Sequence, residues 1–387
     1  MSRFIFILLL GFQSVFAQES IFSCQVEMGL FNTAFNSKTI LNNNGFLDAS
    51  HKAHLLQQLE SENHLFFQGE NGLRYTNKKG WNIALQHKHV GYSSYTKDLA
   101  QLALYGNATL TGENLSLAPF NTSYYSYSEL SIGFFFHKYL HLTTSAIVGH
   151  QFASIQANTA DFYTAENGSY IDYDLSLEVH YTDTSFDNIF ENRGLGAALG
   201  LYYEQEKEDV LIRLSASNIG FISWDKGCTH IYIDTAYHFE GIVLNDLLNF
   251  NQDIVENEID ALEGQINSPV QESYTWKIPI LLRGYYEQKL HNNHFTAVSF
   301  GTEHRLGIYP SPRLYADLHH ERKKSHWSFG YHFGGMQRPG IQLSYAVQFK
   351  QTKFRLFTQQ ANLFLPEEIY GLHIGIGIKK VFLPKEN

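Results

Sequence analysis

Residues 170–181 read "YIDYDLSLEVHY", with Ile171, Tyr173, Leu175, Leu177, Val179 and Tyr181 on one parity and Asp172, Asp174, Ser176, Glu178 and His180 on the other. Alternation held over this length predicts a β-strand whose two faces meet different solvents. The pattern recurs. In "GLGAALGLYY", Leu195, Ala197, Leu199, Leu201 and Tyr203 oppose Gly194, Gly196, Ala198 and Gly200. In "VLIRLSASN", Val210, Ile212, Leu214 and Ala216 oppose Arg213, Ser215 and Ser217, and in "SYTWKIPILLRGYY" Tyr274, Trp276, Ile278, Ile280 and Leu282 oppose Lys277 and Arg283. Further strands are expected over 63–76, 81–91, 102–108, 125–137, 141–155, 231–239, 295–305, 314–320, 327–333, 341–349 and 354–360, and in a last run near the C-terminus.

Two stretches break the alternation. In residues 18–62, Asp48 or Ser50 is placed to cap a short helix bearing Ala53, Leu55, Leu56 and Leu59. In residues 241–272, Leu244, Leu247, Leu248, Val255, Ile259 and Leu262 fall at helical spacing among acidic residues. The chain shows neither a repeat nor a Pro/Gly/Ser linker, so one domain with two helical elements is expected.

Strand length separates a soluble β-sandwich from a membrane barrel. Soluble strands run about 5 to 6 residues, whereas a tilted membrane strand needs about 9 to 11, and several of these runs are of the longer kind. The final one, "YGLHIGIGIKKVF", sets Leu372, Ile374, Ile376, Ile378 and Phe382 against Gly371, His373, Gly375, Gly377 and Lys379. An apolar strand with an aromatic near its end resembles the assembly signal of outer-membrane barrels, although residues 383–387 follow Phe382. The expected fold is therefore an all-β transmembrane antiparallel barrel of about 14 strands, with the apolar parity toward lipid and the polar parity toward a wet lumen. Asp172, Asp174, Glu178, His180, Arg213, Lys277 and Arg283 are the candidate lumen-facing residues.

The N-terminus fits an exported chain. Arg3 precedes an apolar run from Phe4 to Phe16, and Val15-Phe16-Ala17 offers a cleavage site, which predicts a signal peptide at 1–17. The expected organisation is 18–62 as a lumen hatch, 63–382 as the barrel with the 241–272 insertion, and 383–387 as a tail. With 28 basic against 38 acidic residues and a net charge of −10, nucleic acid is not an expected partner. Cys24 and Cys228 leave a single disulfide open but make no framework.

Several phrases in order, Gly29 to Ser37 ("GLFNTAFNS"), Asn218 to Trp224 ("NIGFISW"), Phe239 to Gly241 ("FEG") and Tyr274 to Pro279 ("YTWKIP"), resemble a Bacteroidota family of outer-membrane barrels of uncharacterised function. That family is itself distantly similar to the long-chain fatty-acid channel barrels. Where the wider superfamily has Asn-Pro-Ala, this chain has Asn32-Thr33-Ala34, so no role of that proline transfers. The resemblance implies a barrel of about fourteen strands and brings no catalytic residues.

Catalytic fingerprints are missing. No GxSxG, phosphate loop or dinucleotide motif occurs in the right context, and Asp172, Asp174 and Glu178 read as solvated lumen carboxylates rather than a glycosidase acid pair. Among 19 histidines, His87 with His89, His291 with His294, and His319 with His320 invite a metal reading, but none shows zinc-site spacing, so neither metal nor cofactor is expected. The leading expectation is a non-enzymatic outer-membrane barrel for passive transport of a small hydrophobic or amphiphilic solute, in contact with outer-membrane lipids and inserted by the barrel-assembly machinery. The alternatives are a non-transporting barrel docking an envelope protein in assembly or secretion, and a secreted soluble β-sandwich.

Overall fold

The computed structural model describes residues 19–34, 48–77, 79–182, 194–240, 268–292, 294–336, 338–360 and 370–382. The expected signal peptide, the 383–387 tail, residues 35–47 of the expected hatch and residues 241–267 of the expected helical insertion lie outside them.

Among the described residues, seventeen strands form one antiparallel sheet that closes on itself. They are β1 (Ser20–Asn32), β2 (Glu62–Thr76), β3 (Asn82–Thr96), β4 (Asn114–Ser116), β5 (Phe120–His137), β6 (Leu140–Thr164), β7 (Ile171–Thr182), β8 (Gly194–Lys207) and β9 (Val210–Phe239). The second half comprises β10 (Val270–Ile278), β11 (Leu281–Lys289), β12 (Ala297–Arg305), β13 (Arg313–Arg322), β14 (Ser325–Phe333), β15 (Gly340–Phe349), β16 (Thr352–Gln359) and β17 (Gly371–Phe382). Closure is made by β1, which pairs with β2 on one side and β17 on the other. A β-sandwich is thereby excluded, because a sandwich leaves sheet edges and the described strands leave none.

Several strands share a place in the wall. β7 and β8 both lie between β6 and β9, end to end, with Thr164↔Ile171 at one extreme and Leu140↔Tyr203 at the other. β10 and β11 likewise follow each other along β9, on either side of Pro279-Ile280. The short β4 prolongs β5 beside β6. Counted around the wall, the seventeen strands therefore occupy fourteen positions.

The two rims differ. At one, β5–β6, β8–β9, β13–β14 and β15–β16 are joined by two-residue turns, and Ser20 of β1 pairs with Phe382 of β17. Glu208 and Lys350 take positive φ there, as tight hairpin turns demand. The opposite rim carries the longer connections, including α1 (Ala49–Gln58) and α2 (Lys97–Tyr105).

Outside, the wall is apolar. Val26, Met28 and Leu30 of β1, Leu195, Leu199 and Leu201 of β8, Trp327, Phe329, Tyr331 and Phe333 of β14, and Leu372, Ile374, Ile376 and Ile378 of β17 are all exposed, in alternation with inward neighbours. Phe382 closes this face of the last strand.

Three expectations change. Residues 20–32, assigned to a hatch, form a wall strand; Phe22, Val26, Met28 and Leu30 face out while Gln25, Glu27 and Phe31 face in. Residues 102–108, expected as a strand, lie in α2 and a following 3-10 turn. Thr96 caps α2 by accepting from the Leu99 N–H, and Gly106 at φ 72° ends it by donating to the Leu102 carbonyl. Local capping thus overrides a sequence that alternates only weakly. Finally, Lys277 faces outward beside Phe221, while its neighbours Trp276 and Ile278 face in. The parity is reversed because the barrel interior at this height is itself aromatic.

Candidate functional site

The interior is built in two layers. Nearer the two-residue turns, strand alternation turns Glu27, Glu70, Lys88, Glu129, Arg283 and Arg305 toward a cavity of about 320 Å³. Cross-strand register makes them partners. Lys88 Nζ donates to Glu129 Oε2 at 2.7 Å, Ser145 Oγ donates to Glu129 Oε1, Gln86 Nε2 donates to Glu70 Oε1 at 2.6 Å, and Arg283 Nε donates to Glu303 Oε2 at 2.8 Å. Higher up, Arg313 donates to Gln359 and Gln342, and Gln342 in turn donates to Asp317. Charges enclosed by a barrel wall need such partners, because an unpaired one bears its full desolvation cost.

Above this layer the interior turns aromatic. Phe31 and Phe66 stack at 6.2 Å, Phe66 meets Tyr309 edge-on at 5.5 Å, and Tyr125 lies 3.9 Å from Trp276. Phe152 bridges Trp224 at 5.3 Å and Tyr274 at 5.0 Å. Arg305 joins the layers, its guanidinium 5.6 Å from the Phe66 ring and 6.0 Å from that of Tyr309. Where the Trp224 indole crosses the sheet, Gly149 and Gly194 leave room for it; a Cβ on either would lie 2.7 Å from an indole carbon.

The long-connection rim is tied over this layer by Arg338. Its Nε donates to the Thr33 carbonyl at 2.8 Å, its Nη2 to the Gln58 carbonyl at 3.1 Å, and the guanidinium sits 4.1 Å from the Tyr370 ring. Gln360 Nε2 in turn donates to the Arg338 carbonyl at 2.9 Å. One side chain thus holds the end of β1, the end of α1 and the approach to β17 together. At the start of α1, the Asp48 carboxylate accepts from the His51 N–H at 2.9 Å and from the Ser50 hydroxyl at 2.7 Å. These bonds, the backbone one foremost, hold its pKa well below the usual carboxylate range.

The residues singled out from sequence are dispersed. Arg283 lies in the polar layer, with about half its side-chain surface open to the cavity. Arg213 pairs with Glu204 at 2.6 Å near the two-residue turns. Asp172 pairs with His238 and, with Asp174, lines a separate cavity of about 650 Å³ where β4, β6, β7 and β9 extend at the opposite rim. Both parities of β7 are partly accessible there, Asp172 and Tyr173 alike, so that the two-solvent contrast expected from its alternation holds less sharply than on β17. Lys277, as described, faces out.

The histidine pairs fare differently. His87 and His89 lie on the strand face opposite Lys88, where a hydrogen-bonded chain runs from Tyr124 through His89, His87 and Ser128 to His150. His291 pairs with Asp209 at 3.3 Å, and His319 with Ser299 at 2.8 Å. Among the described residues the group of three whose ligand atoms converge, all within 4.8 Å of one another, is Glu178, His180 and His230. His230 could not be chosen from sequence, since only the β7–β9 register brings it opposite His180. Lys88 and Glu129 were missed for the same reason, being 41 residues apart. Both cysteines are free, with Cys24 partly exposed and Cys228 buried.

A family model matches residues 16–358, which is most of the chain. The chain belongs to the family of unknown function DUF5723. No curated protein matches it in sequence. Among solved structures, a Pseudomonas aeruginosa FadL homologue is similar at TM-score 0.45 and 9% identity, covering 94% of this chain and 90% of that one. The Ralstonia pickettii toluene transporter TbuX is similar at 0.41 and 10%, covering 94% and 90%, and the P. putida toluene transporter TodX at 0.40 and 8%, covering 95% and 91%. This DUF5723 barrel has an apolar wall around an interior that is charged in one layer and aromatic in the next.

Proposed function

We propose that this chain is an outer-membrane barrel that passes a small amphiphilic solute without catalysis. The observation that carries the reading is the two-layer interior within an apolar wall: a charged cavity beneath a packed aromatic layer. The apolar exterior suits hydrocarbon, and two-residue turns on one rim with long connections on the other suit a periplasmic and an extracellular side. The cavity is of a size that holds small ligands. Its lining offers Lys88 and Arg283 to a polar head, and the packed layer around Tyr125 and Trp276 lies next to it.

The rim contacts of Arg338 are the gate in this reading. The hatch expected from sequence cannot be tested by deleting 20–60, because that would remove a wall strand. Arg338→Ala is the appropriate variant. In liposomes containing a sulfonated naphthalene dye that does not cross protein-free lipid, the wild-type barrel is expected to admit the dye slowly and Arg338→Ala several-fold faster. Flux equal to protein-free vesicles for both proteins would refute transport.

A further inference from the structure

The inner face where β7 ends carries a donor set that the proposed passage does not use. Glu178 and His180 are two residues apart on β7 and so share a face. His230 of β9 is the cross-strand partner of His180, and the two imidazoles stack at 4.2 Å with 4° between their planes. Tyr274 of β10 also packs on His180, at 4.4 Å between ring centroids, joining the group to the aromatic layer. Outside the group of three, Glu272 of β10 places Oε1 2.9 Å from His230 Nδ1.

That last contact sets the tautomer of the neutral ring. An imidazole donating from Nδ1 to a carboxylate presents a lone pair at Nε2, and the Nε2 of His230 is buried with no hydrogen-bond partner. A buried acceptor left unpaired is costly, and each such atom in a folded protein calls for an explanation. A stacked pair of neutral histidines would leave the cost in place and give Glu178 no part. A cation would remove it. Once one of the stacked rings turns so that both bring a nitrogen to a common point, two imidazoles and a carboxylate, with a further carboxylate on the second nitrogen of one ligand, make the donor set and outer support of a zinc site with an open position. Calcium and magnesium prefer oxygen donors alone.

We infer that Glu178, His180 and His230 bind one divalent transition-metal ion of the zinc class, with Glu272 as the positioning residue for His230. The inference is independent of transport. Its consequence is structural: the ion clamps β7 to β9 two rungs from Thr182, where β7 stops and the same wall position resumes at Gly194.

The test uses the full chain folded in detergent, stripped with a chelator and titrated with zinc against a chromogenic competitor. The wild type is expected to take up about one equivalent tightly, and its unfolding temperature is expected to rise on zinc addition. His230→Ala and Glu178→Gln should lose the tight site, and Glu272→Gln, which keeps all three ligands, should bind about 10 to 100-fold more weakly. His320→Ala, remote from the group, should bind as the wild type does. Absence of a tight site in the wild type, or tight binding that persists in both His230→Ala and Glu178→Gln, would overturn the inference. Should His230→Ala not fold, the wild-type titration and Glu272→Gln decide it alone.

Discussion

Arg283 and Glu303 are direct cross-strand partners on β11 and β12, and the guanidinium Nε donates to the carboxylate at 2.8 Å inside the barrel. Arg305 and Arg313 act electrostatically on the same carboxylate, and Tyr309 donates to its other oxygen at 3.3 Å. Glu303 is only 13% exposed, whereas Arg283 opens to the cavity. Removing Arg283 leaves an enclosed carboxylate that its remaining neighbours satisfy in part. Arg283→Ala is expected to lower stability by about 1 to 3 kcal/mol, read as a shifted urea midpoint in lipid. An unchanged midpoint would mean that water in the cavity already satisfies Glu303.

Gly194 begins β8 under the Trp224 indole. A methyl there would meet Ile222 Cγ2 at 2.6 Å and the ring at 2.7 Å, and neither is the free end of a flexible chain. Gly194→Ala is expected to cost about 1 to 3 kcal/mol through overpacking. Gly168, at φ 71° in the β6–β7 turn, has nothing near a Cβ and suffers only backbone strain. The fluorescence of Trp224 should shift in the first variant and stay constant in the second.

Lys277 stands on the outer face beside Phe221. At the outer face an alkyl side chain suits lipid better than an ammonium, with the difference shrinking to about 0 to 1 kcal/mol near the interface. Lys277→Leu is therefore expected to leave stability unchanged or raise it in a lipid-reconstituted urea titration. A loss comparable to that of Arg283→Ala would place Lys277 inside.

The α1 cap titrates at the long-connection rim. The folded Asp48 carboxyl has a pKa below its unfolded value of about 3.9, so its contribution is complete above that value and is lost as pH falls through the lower folded pKa. Amide exchange in α1 should therefore be constant between about pH 5 and 7 once corrected for intrinsic rates. Asp48→Ala should accelerate it at every pH in that window.

How much of this was legible in the sequence follows from where the solvent contrast is sharp. On β17, Ile374 and Ile376 meet the outside and His373 the inside, so alternation alone assigns both faces. On β1, Val26, Met28 and Leu30 oppose Gln25 and Glu27 in the same way, but the helical spacing further along 18–62 points to a hatch rather than to a wall strand. On β10 the signal fails for a physical reason. Tyr274 and Trp276 pack on Phe152 and Tyr125 rather than face lipid, while Thr275 and Lys277 lie on the outer face, so the alternation is clear but assigns the two faces the wrong way round. Irregular register adds to this, as at the β8–β9 shift near Asn218, whose φ is 62°. The polar layer and the Glu178–His180–His230 group depend on which strands become neighbours, and no local pattern encodes that.

The most direct measurement places spin labels on adjacent residues of β1, at Val26→Cys and Gln25→Cys, in a chain whose Cys24 and Cys228 have been replaced by serine, reconstituted in lipid. The label at 26 should collide readily with oxygen and hardly with a water-soluble nickel complex, and the label at 25 should show the opposite preference. Equal accessibilities at the two positions, or the reverse order, would contradict a closed wall with hydrocarbon on one side and a polar cavity on the other.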